Sequence, residues 1–204
     1  MHGSRLALTF DDGPDPRGTP AVLDALAAAR ARATFFVLGE RALTHPGLLA
    51  RVRDEGHGVE LHGHGHPRHP ASTRAAIAAD LGRALAVLDA AGVRPARWRV
   101  PYGFLAPFTA PLARSRGLTL TGWTLDSHDW TGDAAGTMLA RLEPRLAGAA
   151  VVLLHDGVGP GARREHALET AALVGPLVVA ARARGLRPGP LEPGWPVPAG
   201  NPGA

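Results

Sequence analysis

The chain has 204 residues, 45% hydrophobic and 20% charged, a balance that excludes wholesale disorder and collagen-like sequence, and no apolar run approaches the roughly 20 residues of a helical membrane span. All 22 basic residues are arginine and stand against 18 acids for a net charge of +4; with acids interspersed among them, they form no basic block of the kind nucleic-acid binding needs. Cysteine is absent, which excludes a disulfide framework and a thiolate metal site.

In chain order the pattern is strand, then helix, repeated. Residues 1–5 run straight into an apolar strand with no signal-peptide core, so the expectation is a cytoplasmic protein or a catalytic domain trimmed from a secreted one. The strand at 6–10 closes in Asp-Asp-Gly-Pro. Thr19 and Pro20 predict a helix start, with Val22, Leu23 and Leu26 on its apolar face. A second strand covers 33–38. Pro46 then opens a helix through Leu48, Leu49 and Val52 that Gly56 ends. After a short strand at 59–61, Ser72 caps a long helix with Ile77, Leu81, Leu85 and Leu88 at helical spacing.

A fourth strand is expected at 97–100, a helix at 108–116, a fifth strand at 118–125 and a helix at 135–146. The sixth strand spans 150–154, followed by a helix at 165–184 that Pro176 should kink. Residues 1–187 thus read as one α/β domain. Residues 188–204, with six prolines and four glycines, read as an extended or disordered tail.

Six strand–helix units fit an open sheet or a closed barrel equally well. The polar residues discriminate between them. Asp11 and Asp12, His62 to His66, Arg99 to Tyr102, Asp126 to Trp130 and His155 all lie at strand ends. Contributions from five strand ends favour a barrel face over a single switch point.

His62-Gly-His64-Gly-His66 places three histidines in five residues. On a helical turn the first and last face the same way and can share a metal ion. The missing carboxylate ligand is available at Asp11-Asp12, where adjacent side chains point apart, one toward metal and one toward substrate. Taken alone, Asp-Asp-Gly-Pro is ordinary turn chemistry. Together, two histidines and an aspartate leave coordination sites open for water and a substrate oxygen, which is hydrolytic chemistry. The spare aspartate can act as base, and His155, partnered by Asp129, as acid. Arg99, if it points into the face, pairs with Asp11. Trp130 is either core or an apolar wall for a small acyl group. Trp98, Tyr102, Phe104 and Phe108 can form a subsite wall or simply pack.

The segments LTFDDGP (8–14), HGHGHP (62–67), RVPYG (99–103), DSHDW (126–130) and VLLHD (152–156) occur in that order. Together they resemble the polysaccharide deacetylase family, the NodB-type domain of carbohydrate esterase family 4, over roughly residues 5–185. The resemblance implies a distorted, incomplete (β/α) TIM-like barrel. It implies Asp11 as catalytic base and Asp12, His62 and His66 as ligands of a divalent metal, usually zinc, with cobalt an alternative. It also implies that Arg99 orients Asp11 and that Asp129 tunes His155, the acid. Pro101 and Tyr102 would shape the groove, Tyr102 through its main-chain N–H, and Trp130 and Leu153 would line an acetyl pocket.

The implied activity is N-deacetylation of N-acetylglucosamine-type units in peptidoglycan, chitin oligomers or a related amino sugar. An O-acetyl esterase on xylan-like glycans and a non-catalytic carbohydrate-binding domain are the alternatives. Two positions depart from the family pattern. Gly63 stands where Ser or Thr is usual, which implies loss of a loop-fixing hydrogen bond and makes His64 a competing ligand. Val100 replaces a proline in the third motif.

Overall fold

A computed structural model describes residues 4–195 and 198–200. The elements are β1 (Arg5–Asp11), α1 (Gly18–Ala28), β2 (Thr34–Leu38), α2 (Gly39–Thr44), α3 (Pro46–Asp54), β3 (Gly58–Gly63), α4 (Arg74–Ala90) and β4 (Arg97–Trp98). They continue with α5 (Thr109–Ser115), β5 (Thr119–Leu120), β6 (Leu125–Asp126), α6 (Ala135–Leu142), β7 (Ala150–His155), α7 (Leu168–Ala183) and β8 (Arg187–Gly189).

The sheet runs β5-β4-β3-β2-β1-β7-β6, every pairing parallel, with β8 added to β1. Its two ends, β5 and β6, are neighbours in sequence, joined by residues 121–124 alone. Such a link reaches at most about 14 Å, so the sheet must curl until its ends nearly meet. The result is the incomplete barrel expected, with a slot between β5 and β6 instead of a ladder.

Side-chain alternation sorts this barrel into inside and outside. Leu6, Leu8 and Phe10 on β1, Phe35 and Val37 on β2, and Val152 and Leu154 on β7 face the helices and build the main core with Leu23, Leu26, Leu81 and Leu177. The alternate residues point inward. Ala7, Val151, Leu153, Trp123 and Trp195 form a small apolar plug; above it lie Thr9, Asp11, His62, Arg99 and His155. On β1 and β7 the inward row changes from apolar to polar toward the carboxyl end, Ala7 giving way to Thr9 and Asp11, and Val151 and Leu153 to His155.

Several boundaries differ from expectation, each for a physical reason. α1 starts at Gly18 with Arg17 as its N-cap, so Thr19 falls inside the first turn; Asp15, two residues before the cap, accepts on Oδ1 from the N–H groups of Arg17 and Gly18 at 2.9 and 2.8 Å. On α4 the capping oxygen belongs to Thr73, not Ser72. The strand expected at 118–125 is interrupted, because its middle leaves one sheet end and joins the other. α2 had no sequence signal beyond its short apolar pair. α7 begins at Leu168 instead of 165 and carries Pro176 in its interior.

Residues 188–195, expected as part of the tail, are tied to the barrel. β8 pairs with the lower half of β1, the Leu191 N–H donates to Thr34 Oγ1 at 3.0 Å, and Trp195 is 5% exposed. Proline and glycine counts conceal that Leu191 and Trp195 are apolar anchors. Residues 1–3, 196–197 and 201–204 lie outside the described residues. No helix among those described is long and apolar enough to cross a membrane.

Candidate active site

The β1 end supplies two carboxylates in different settings. Asp11 completes the strand's inward row and is buried; its Oδ1 accepts from Arg99 Nη1 at 2.7 Å. Asp12 leaves the strand in a left-handed conformation, φ 74°, tolerable for aspartate, and this turn swings its side chain away from Asp11. Arg41, from the unexpected α2, donates to the Asp12 carbonyl and the Val158 carbonyl, each at 2.7 Å, and so braces this turn against the loop after β7.

Asp12 Oδ1 lies 3.4 Å from His62 Nε2 and 3.2 Å from His66 Nε2. The three ligand atoms all fall within 4.8 Å of one another, and Asp12 Oδ1 is buried with no hydrogen-bond partner. Bonds of about 2.0–2.1 Å to a tetrahedral ion put donors about 3.3 Å apart. This donor set fits a divalent cation. Burial opposes the Asp12 charge, but the two imidazoles outweigh it and hold the carboxyl well below its ordinary range. His62 Nδ1 sits 2.8 Å from the Arg99 carbonyl, a donor contact that leaves Nε2 as the lone-pair atom.

The 62–66 spacing works without the helical turn expected of it. His62 ends β3, Gly63 takes φ 135°, and the loop then returns His66 beside His62, ring centroids 5.2 Å apart. His64 is not part of the ligand cluster.

Arg99 is fully buried inside the barrel. Besides Asp11 it donates to Thr9 Oγ1 and the Gly122 carbonyl, both at 2.8 Å, and its Cζ lies 4.0 Å over the Phe36 ring. Burial pulls its guanidinium below the ordinary value, against the opposing pull of Asp11. One side chain therefore orients a carboxylate and ties down the 121–124 link.

His155 ends β7. Its Nδ1 lies 2.7 Å from Asp129 Oδ1, and its N–H donates to Asp129 Oδ2 at 2.8 Å. Burial alone would lower this imidazole; Asp129, with Asp12 and Asp11 beyond it, raises it to about 9. Burial also works against the Asp129 charge, but His155, Arg164 and Thr170 outweigh it and bring the carboxyl to about 2. Arg164 and Thr170 escaped the sequence reading. Arg164 reaches Asp129 Oδ2 at 3.2 Å and the carbonyls of His155 and Gly157 at 3.0 Å each; Thr170 Oγ1 donates to Asp129 Oδ2 at 2.7 Å. Asp156 was also missed: buried against Gly13, it accepts from the Thr19 hydroxyl, and burial pushes it up to about 7.

Asp11, Asp12, His62, His66, His155 and Arg164 line one cleft of about 730 Å³, whose walls include Tyr102, Phe104, Trp123, Trp130 and Leu153; Arg99, Asp129, Thr170 and Asp156 are buried and do not line it. Tyr102 holds φ 60° between Pro101 and Gly103 and meets His66 edge-on at 4.4 Å. Trp130 is 36% exposed, a wall and not core, whereas Trp98 is fully buried against His69 and forms no subsite. Phe108 packs on the core as well. An anion-stabilising metal pocket, a carboxylate beside it and a cationic imidazole opposite can together hydrolyse an acyl bond.

A sequence profile of polysaccharide deacetylases matches residues 1–121. The peptidoglycan-N-acetylglucosamine deacetylase of Listeria monocytogenes is 39% identical over 153 residues, 74% of this chain but 32% of that protein. The chitooligosaccharide deacetylase of a Bradyrhizobium species is 35% identical over 159 residues, 77% of this chain and 73% of the relative. The family 4 carbohydrate esterase of Streptomyces lividans, solved with acetate, superposes with TM-score 0.85 at 28% identity, covering 98% of this chain and all of that one.

Proposed function

This chain belongs to the polysaccharide deacetylase family, and from that premise we propose that it removes N-acetyl groups from N-acetylglucosamine-type units of a glycan and releases acetate. Peptidoglycan, chitin oligomers and related amino sugars are the substrate class. The observation that carries the proposal is the division of labour at Asp11-Asp12: one buried carboxylate oxygen faces two imidazoles, while the other carboxylate is held apart by Arg99.

A divalent metal, which the family resemblance gives as usually zinc, would supply a Lewis acid there that polarises the acetyl carbonyl and acidifies water. Asp12, His62 and His66 are its ligands. Asp11, one oxygen engaged by Arg99, takes the attacking water's proton on the other. His155, with Nδ1 committed to Asp129, gives its remaining ring proton to the departing nitrogen, and Asp129 keeps that ring cationic. Tyr102 lines the groove and its main-chain N–H steadies the carbonyl oxygen, whereas Pro101, expected to shape the groove too, is buried and does not line it. Trp130 and Leu153 enclose the acetyl methyl.

Acetate release from chitin oligomers and peptidoglycan fragments, with chelator and after zinc is restored, tests the proposal. Turnover lost to chelator and recovered with zinc is expected. Preferential release from acetylated xylan would make the protein an O-acetyl esterase. Sugar binding without acetate release, zinc present, would make it a binding domain.

The acid assignment predicts a pH effect. Asp129 raises His155, so Asp129→Asn must lower the imidazole's pKa. Protonated His155 is then lost at lower pH, and the alkaline limb of kcat should move toward neutrality by about one unit or more. An unmoved alkaline limb would remove His155 from the role of acid.

A further inference from the structure

Two of the three candidate metal ligands lie four residues apart, His62 in β3 and His66 in the loop after it, and they are held differently. The His62 ring is oriented by its Nδ1 contact with the Arg99 carbonyl. The His66 Nδ1 is buried with no hydrogen-bond partner; apart from its contacts with Tyr102 and with the other two candidate ligands, Asp12 and His62, the ring depends on its backbone for position. That backbone is gripped from α4. Asp80, 6% exposed, accepts from the N–H of His64 on Oδ2 at 2.8 Å and from the N–H of Gly65 on Oδ1 at 2.9 Å.

A carboxylate receiving two amide N–H groups, one on each oxygen, makes charge-assisted bonds roughly twice as strong as neutral ones. The His64 carbonyl is taken in turn by the Glu40 N–H at 3.0 Å. Gly63 belongs to the same arrangement: a Cβ there would come 3.1 Å from Asp80 Oδ2 and 3.0 Å from the Gly65 carbonyl oxygen, at a φ of 135°. The departure at Gly63 thus opens room for a carboxylate that fixes the loop from outside it. The only ion-pair partner among the described residues is Arg83, at 3.7 Å with its side chain 61% exposed.

We propose that Asp80 is a positioning residue for the metal centre, its paired grip on the 64 and 65 amides presenting His66 at ligand distance. The inference rests on the metal reading above. Its test uses the intact protein and three readouts: zinc affinity by chelator competition, the visible spectrum of the cobalt-substituted protein, and amide exchange in the metal-free state. Asp80→Ala should weaken zinc about 10- to 100-fold, the range for losing a group that orients a ligand. It should also perturb the cobalt spectrum and speed exchange at His64 and Gly65 without metal.

Asp80→Asn, which keeps one acceptor oxygen, should fall between Asp80→Ala and wild type, and it carries the test if Asp80→Ala does not fold. Arg83→Ala removes the outer partner only and should match wild type. If the Asp80 variants lower thermal stability but keep wild-type zinc affinity and cobalt spectrum, Asp80 is merely structural and the proposal is overturned. A wild-type protein that binds no zinc overturns the metal reading and the proposal with it, a result distinct from equal binding by all variants.

Discussion

Asp11→Asn should cut acetate release by about 10²- to 10⁴-fold, the usual contribution of a positioned base, while zinc content stays at the wild-type level. The separation follows from geometry. Asp11 gives one oxygen to Arg99 and is not among the atoms converging on the cation position, whereas Asp12, His62 and His66 are. Asparagine keeps an acceptor for Arg99 but cannot take a proton at neutral pH. His62→Ala should do the reverse at the level of composition and lose the metal. Acetate release and metal stoichiometry, measured on the same preparations, check both. Wild-type turnover in Asp11→Asn would assign the base elsewhere.

Arg99→Met should be the most damaging substitution to stability, about 3–5 kcal/mol, the cost of stranding a buried charge by removing its partner. Methionine can follow the aliphatic stem but leaves Asp11, Thr9 Oγ1 and the carbonyl of Gly122 without a donor. Denaturant midpoints measure the loss. Because asparagine at position 11 carries no charge, Asp11→Asn combined with Arg99→Met should cost less than the sum of the two singles. A single-variant loss under 1 kcal/mol would mean that water reaches the pair in solution.

The site's reacting groups were legible because each is a chemically unusual residue at the end of an apolar strand. Asp11, Asp12 and His155 close apolar runs, and His62, His66, Arg99 and Asp129 stand in short motifs at or after predicted strands, so they need no tertiary information to stand out. Their supports were not legible. Arg41, Asp80, Arg164 and Thr170 sit on helices or loops among other arginines, acids and threonines, and only long-range folding brings them to the strand ends. The barrel followed from where the polar residues fall along the chain. The slot between β5 and β6 did not, since the strand-like alternation at 118–125 hides a segment that changes neighbours midway. Trp98 and Trp130 illustrate the same limit: two tryptophans beside functional motifs, one sealed in the core and one on the rim, distinguished by fold alone.

The peptide at Gly122 has a second consequence. Its carbonyl is taken by Arg99, and its N–H donates to the carbonyl of Pro198. The carboxy-terminal stretch is thereby two hydrogen bonds and one ion pair away from the oxygen of Asp11. A disturbance at Pro198 has a short route through Gly122 and Arg99 to the carboxylate proposed as base, although nearly the whole sequence separates the two.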